Sequence, residues 1–186
     1  MKRLFIAIPL NLNNLAKQSI LEIQTQLSQN SIKWVSFDNL HLTLQFIGDT
    51  HENDIVSIIK ILDNLQEYFN KFEVKLSGLY TFGNRDNPNV LWTKWIDNNQ
   101  SKNLAKLLNE QISLMNNVKS NDKFIPHLTL GRIKRISDLS NFNEIISNNA
   151  NLSLGRYTID EIILFESKLK PTGPEYLTLH KIKAYK

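Results

Sequence analysis

The chain has 186 residues, 41% hydrophobic and 22% charged, which places it with ordinary globular proteins long enough for one well-filled core. Cysteine is absent, which excludes a disulfide framework and any thiolate metal site. With 22 Lys and Arg against 18 Asp and Glu the formal charge is +4, a mild positive field that suits a polyanionic ligand, although the lysines are too dispersed to mark a nucleic-acid footprint by themselves.

Leu4 to Leu10 is apolar and β-prone and predicts a buried first strand. The opening Met1–Pro9 has some likeness to a secretory leader, but Pro9 and Asn11 break the run and no small-residue cleavage site follows. Nothing approaches the roughly 20 apolar residues that span a bilayer. The expectation is a cytoplasmic protein that makes no contact with a membrane. Asn11 to Asn14 supplies capping residues for a helix reaching about Gln29, with Leu15, Ile20, Leu21, Ile23 and Leu27 near helical spacing. Lys33-Trp34-Val35 is a short extended piece, and Ser36 to Asn39 turns the chain into a strand over His41 to Ile47. Gly48-Asp49-Thr50 closes that strand and caps a second helix, about Glu52 to Phe69.

Phe72 to Phe82 alternates as a half-buried strand should, and Val90 to Ile96 returns as its partner across a breaker-rich loop, Gly83 to Pro88. Asn98 to Met115 carries Leu104, Leu107, Leu108 and Ile112 on one helical face. A polar loop, Asn116 to Lys123, then leads into a strand beginning at His127. Ser137 to Ser147 predicts a shorter helix. Leu152 to Phe165 and Tyr176 to Ile182 predict two closing strands, joined by a loop over Glu166 to Pro174. Helices interspersed with hairpin-connected strands indicate a mixed α/β or α+β fold, and no linker divides residues 1–186 into separate domains. The unit of strand, helix and His–Thr strand occurs in both halves, which predicts two lobes related by an approximate dyad.

The chemistry concentrates in one repeated phrase. His41-Leu42-Thr43-Leu44 is echoed by His127-Leu128-Thr129-Leu130, the second preceded by Pro126 and followed by Gly131-Arg132. In a strand, His and Thr share one face while the leucines take the other. A leucine face belongs in a core, so the His–Thr faces turn towards a cleft. Imidazoles near their reference pKa of about 6.5 can both accept and donate protons at neutral pH. Opening a cyclic phosphodiester needs both acts, one on the attacking water and one on the departing sugar oxygen. Thr43 and Thr129 could hydrogen-bond the non-bridging oxygens, and Arg132 could offset the charge that grows in the transition state. Strict alternation puts Arg132 on the leucine face, so its reaching the phosphate requires a bulge or a strand end at Gly131.

His51 and His180 lack such company and read as surface or satisfied-core residues. Neither motif has a second His or a carboxylate at ligand spacing, so no metal site and no cofactor is expected. There is no nucleophile-elbow sequence and no Gly-rich phosphate loop. Trp34, Trp92, Trp95 and Phe124 read as packing.

These residues carry a family resemblance over nearly the whole chain. Arg3 to Ile8, Trp34-Val35, Asn39 to Leu44, Phe46-Ile47-Gly48, Val90-Leu91-Trp92, Phe124 to Arg132, Glu166-Ser167, Leu169, Pro171, Gly173 and Tyr176 together resemble the two-histidine phosphoesterase superfamily. The nearest branch is the RNA 2′,3′-cyclic phosphodiesterases, first named 2′-5′ RNA ligases. The resemblance implies a bilobal fold, two mainly antiparallel sheets with flanking helices about a pseudo-dyad, and both motifs in a central cleft. It also implies metal-independent hydrolysis of a terminal 2′,3′-cyclic phosphate to a 2′-phosphate, by a monomer acting on RNA ends or nucleotides. His127 would activate water, His41 would protonate the leaving 3′ oxygen, and Thr43, Thr129 and Arg132 would hold the phosphate. Two departures from the family stand out. Gln45, expected on the His–Thr face, replaces a common arginine, and Asp122-Lys123 stand where an arginine often precedes the second motif. The alternatives are another activity of the superfamily, on small cyclic nucleotides or 2′-5′ linkages or in RNA ligation, and a binding module without turnover.

Overall fold

The computed structural model describes residues 1–115, 124–171 and 173–185. Nine strands and four α-helices follow one another among these residues. They are β1 (Lys2–Pro9), α1 (Asn14–Gln26), β2 (Ser31–Trp34), β3 (His41–Thr50), α2 (Glu52–Leu65), β4 (Phe72–Asn84), β5 (Asn87–Ile96), α3 (Gln100–Ser113), β6 (His127–Arg135), α4 (Leu139–Asn148), β7 (Ser153–Ile159), β8 (Glu161–Lys170) and β9 (Gly173–Lys183). Single 3₁₀ turns occupy Phe37–Asn39 and Gln66–Tyr68. The strands form two sheets, ordered β3-β1-β8-β9 and β2-β6-β5-β4-β7, with every pairing antiparallel. This is the expected α+β architecture.

The local chemistry of each helix start explains where it begins. Asn13 Oδ1 accepts from the Ala16 amide at 2.9 Å and starts α1, and Asp138 Oδ1 accepts from the Asn141 amide at 3.0 Å and starts α4. At α3 the chain makes a tight left-handed passage through Asn98 and Asn99 (φ 52° and 67°), residues that tolerate that region. Asp97 Oδ2 then accepts from the Ser101 amide (2.7 Å) and from Trp95 Nε1 (3.0 Å), which joins the end of β5 to the start of α3. Thr50 does not cap α2: its hydroxyl donates to the Gly48 carbonyl, and His51 occupies the cap position without a side-chain bond.

One continuous apolar cluster lies behind both sheets. It takes Leu4, Ile6 and Ile8 from β1, Leu42 and Leu44 from β3, Leu128 and Leu130 from β6, and the inner faces of the helices, among them Ile20, Ile58, Leu62, Leu108 and Phe142. Each such side chain contributes about 1.5–3 kcal/mol when fully removed from water. The leucines of both motifs are therefore anchored in the core, and the intervening His and Thr residues are left on the opposite surface.

Besides β3 running on through the expected turn Gly48–Thr50 and α1 and α2 ending three or four residues early, three boundaries differ from expectation. Leu152 to Phe165 is two strands, not one: it breaks at Asp160, after which β7 and β8 belong to different sheets. Asp160 and Glu161 are the only acidic residues between Leu152 and Phe165, too short an interruption for periodicity alone to reveal the crossover. The expected loop Glu166–Pro174 is mostly strand, because β8 and β9 stay paired from Glu161↔Lys183 to Lys170↔Gly173. The Gly83–Pro88 loop likewise shrinks to Arg85-Asp86. Pro88 fits inside β5 because β5 meets β6 only from Val90 onwards, so its missing N–H breaks no bond of that ladder. The polar segment 116–123, which includes Asp122 and Lys123, lies outside the described residues.

Candidate active site

The two motif strands are built alike to the residue. Against β3, strand β1 pairs Pro9↔His41, Ile8↔Leu42, Ala7↔Thr43, Ile6↔Gln45 and Phe5↔Phe46. Against β6, strand β5 pairs Lys94↔His127, Thr93↔Leu128, Trp92↔Thr129, Leu91↔Gly131 and Val90↔Arg132. In each ladder the fourth residue of the motif, Leu44 or Leu130, has no partner of its own and forms a bulge. The bulge resets the alternation. Arg132 thereby returns to the face of His127 and Thr129, and the conflict posed by strict alternation disappears.

The same bulge corrects the reading of Gln45. It pairs with the core residue Ile6, is only 1% exposed and lies against α3, away from the His–Thr face. The residue in the place corresponding to Arg132 is Phe46, whose ring lies 5.0 Å from the Arg3 guanidinium. The first lobe thus presents an aromatic ring with a cation from the neighbouring strand where the second lobe presents an arginine.

A cavity of about 500 Å³ opens between the sheets, lined by His41, Thr43, His127, Thr129 and Arg132. All five residues singled out in the sequence therefore meet in one place. Its size falls within the range of about 300–1,000 Å³ usual for small-ligand sites. Further lining comes from β2 and the turn after it (Lys33, Trp34, Ser36, Asn39) and from the tip of the β8–β9 hairpin. Trp34 therefore touches the cleft, whereas Trp92 and Trp95 are buried as expected.

Each imidazole is fixed in the same way. His41 Nδ1 lies 2.7 Å from the Asn39 carbonyl, and His127 Nδ1 lies 2.7 Å from the Ile125 carbonyl, in both cases two residues upstream. A carbonyl only accepts, so Nδ1 carries the hydrogen and donates it. Nε2 is then the nitrogen free to take up or release a proton. Aromatic rings hold the imidazoles from the side. Phe5 (5.1 Å) and the edge of Tyr176 (5.3 Å) flank His41, while Phe82 (4.9 Å) and Trp92 (5.8 Å) flank His127.

Burial pushes both imidazoles below their usual pKa, against the raising effect of their carbonyl bonds, and the neighbouring His127 lowers His41 further. Burial raises the Tyr176 hydroxyl, and the nearby Arg132 charge partly opposes this. Tyr176 therefore links the sheets: its ring touches His41 and its hydroxyl lies in the field of Arg132. Phe5, Asn39, Phe82 and Tyr176 were not singled out as site residues in the sequence. The family likeness, which takes in Phe5, Asn39 and Tyr176, was the one signal that could have suggested three of them; nothing in the sequence marked Phe82.

His51 is exposed, and His180 is held by Asp63 (Nε2–Oδ1 2.7 Å) away from the cleft, as expected for surface residues. Among the described residues, no three His, Asp or Glu side chains cluster so as to hold a metal ion, and no helix is long and apolar enough to cross a membrane.

The LigT-like phosphoesterase family model matches residues 10–92 and 96–176, which include both motifs. The chain belongs to this family. A Methanocaldococcus jannaschii relative named RNA 2′,3′-cyclic phosphodiesterase is 31% identical over 174 residues, covering 94% of this chain and 96% of the relative. An Aquifex aeolicus relative of the same name is 32% identical over 151 residues, 80% of each. A crystal structure of a Thermus thermophilus protein superposes on this LigT-like chain with a TM-score of 0.80 at 25% identity, covering 97% of both. The α+β fold with two antiparallel sheets, which the resemblance implied, is thus shared with a solved structure.

Proposed function

We propose that this LigT-like protein hydrolyses the 2′,3′-cyclic phosphate at an RNA end to a 2′-phosphate by acid–base catalysis between its two histidines, with no step through a metal. One observation carries the proposal: two imidazoles, each with Nδ1 tied to a backbone carbonyl, share a single cavity with two threonines and one arginine. The names of the relatives support the same substrate class.

In the proposed step His127 Nε2 takes a proton from water as its oxygen attacks phosphorus. The P–O3′ bond breaks, and His41 Nε2–H delivers its proton to the departing 3′ oxygen. The phosphate stays on O2′, His127 ends protonated and His41 neutral, and exchange with solvent restores the pair. Burial keeps His127 neutral at pH 7, as a base must be. The same burial disfavours the proton on His41, but an anionic phosphate in the cavity shifts that ring back towards its charged form. Thr43, Thr129 and Arg132 hold the non-bridging oxygens and meet the charge that develops there. All five side chains come from residues 1–186, drawn from both halves, so the two lobes act as one unit and a monomer suffices.

The test is to incubate RNA ending in a 2′,3′-cyclic phosphate with the protein in excess chelator and identify the product. A gain of one water with phosphate on O2′ is expected. An unchanged substrate, or phosphate left on O3′, would reject the reaction as written.

A further inference from the structure

We infer that Lys33 is a second phosphate contact, holding the phosphodiester on the 5′ side of the terminal nucleoside and making the site favour RNA chains over single nucleotides. The inference rests on the hydrolytic reading above and assigns that site its substrate length.

The two lobes match strand for strand as β3-β1-β8 against β6-β5-β4, but only the second carries an extra edge strand, β2 beside β6. This addition makes the cleft unequal at its two ends. In the β2–β6 ladder Lys33 pairs with Arg132, so the two cations stand side by side on one face of the sheet. Both line the cavity that holds the histidines. Lys33 also reaches across to the other sheet, where its Nζ lies 3.9 Å from the place a Cβ on Gly173 would occupy, at the tip of the β8–β9 hairpin. Asn39 Nδ2 donates to the Pro174 carbonyl at 3.3 Å, tying this tip to the turn before β3.

The other cations near the cleft are engaged. Lys170 Nζ lies 2.8 Å from Glu175, and Lys94 sits over the Tyr80 ring. Lys33 and Arg132 have no acidic partner among the described residues. Two like charges side by side disfavour each other unless an anion lies between or beyond them. A cyclic phosphate occupies one anionic position. In an RNA chain the next phosphate leaves the same nucleoside through its 5′ oxygen, so the substrate itself supplies a second anion for the second cation.

The experiment measures binding, so it is independent of turnover. A 5′-labelled pentanucleotide RNA with a 3′-terminal phosphate, and a labelled nucleoside 3′-phosphate, are titrated by fluorescence anisotropy against native protein, Lys33→Ala and Lys33→Arg over a range of KCl. The native protein should prefer the pentanucleotide. Lys33→Ala should reduce that preference about fivefold and flatten the plot of log affinity against log salt by about 0.7, the slope of one lost phosphate contact on a single strand. Lys33→Arg should restore both. No native preference, an unchanged salt slope, or an equal loss for both ligands would overturn the inference. If native protein binds both probes but opens no cyclic phosphate, the hydrolytic reading fails separately.

Discussion

Gly131→Ala tests the geometry that returns Arg132 to the cleft. Gly131 has no need of a left-handed backbone, so the cost of a side chain there is purely one of space. A Cβ at this position would lie 2.8 Å from Ile32 Cγ2, 3.4 Å from the Lys33 carbonyl oxygen and 3.4 Å from Trp34 Cε3. Only the first is closer than van der Waals contact allows, so Ile32, and with it β2, must move. Overpacking of this kind costs about 1–3 kcal/mol. Because the clash has one main source, Ile32→Ala should relieve it: the cost of Gly131→Ala in that background should fall below about 0.5 kcal/mol, a coupling typical of residues in contact. Urea unfolding of the native protein, the two single variants and the double variant gives all four free energies. Equal costs of Gly131→Ala in both backgrounds would refute the reasoning. Since Lys33 and Arg132 flank the displaced contact, turnover of the Gly131→Ala variant should fall too, and recover in part with Ile32→Ala.

Thr43→Val and Thr129→Val keep the shape of each side chain but remove its hydroxyl. Each should lower kcat by about 10²-fold, as expected for one lost donor to a transition-state oxygen, with steady-state rates on a cyclic-phosphate RNA as the measure. Arg132→Ala should lower kcat more than it raises KM, because the guanidinium meets charge that grows only in the transition state; equal effects on both would place it in ground-state binding. Stability should depend on pH through both imidazoles. Their folded pKa values lie below the usual 6.5, so as pH falls the unfolded chain binds protons first. Their contribution is full above about pH 6.5 and is lost as pH drops through the folded values. Urea midpoints should therefore fall on acidification, and a His41→Gln/His127→Gln variant should show a flatter dependence.

The fold class and the meeting of His41, Thr43, His127, Thr129 and Arg132 were legible because two strong local signals agreed. Alternation put the motif leucines inward, and the second copy of the phrase required a second strand facing the first. Arg132 ran against alternation, and only the family likeness and Gly131 pointed it to the cleft; the orientation of Gln45 and Phe46 was not legible, because one bulged leucine in each strand shifts the side chains that follow it to the other face. No residue type announces such a bulge at Leu44; at position 131 only the glycine hinted at it. The join at Asp160 was hidden for a related reason: apolar β-prone residues on both sides hide a change of sheet. The aromatic supports, Phe5, Phe82 and Tyr176, could not be separated from core by composition. Phe5 is buried and the other two are half-buried, and the role of each depends on which ring it touches.

The proposed reaction requires His41 and His127 to serve one phosphorus in opposite roles. The most direct measurement uses a cyclic substrate with sulfur in place of the bridging 3′ oxygen, a leaving group that departs without being protonated. His41→Ala should lose about 10²–10⁴-fold on the oxygen substrate and recover most of that rate with sulfur, while His127→Ala should stay slow on both. Recovery by His127→Ala instead would exchange the two roles, and full activity of either variant on the oxygen substrate would contradict the shared site.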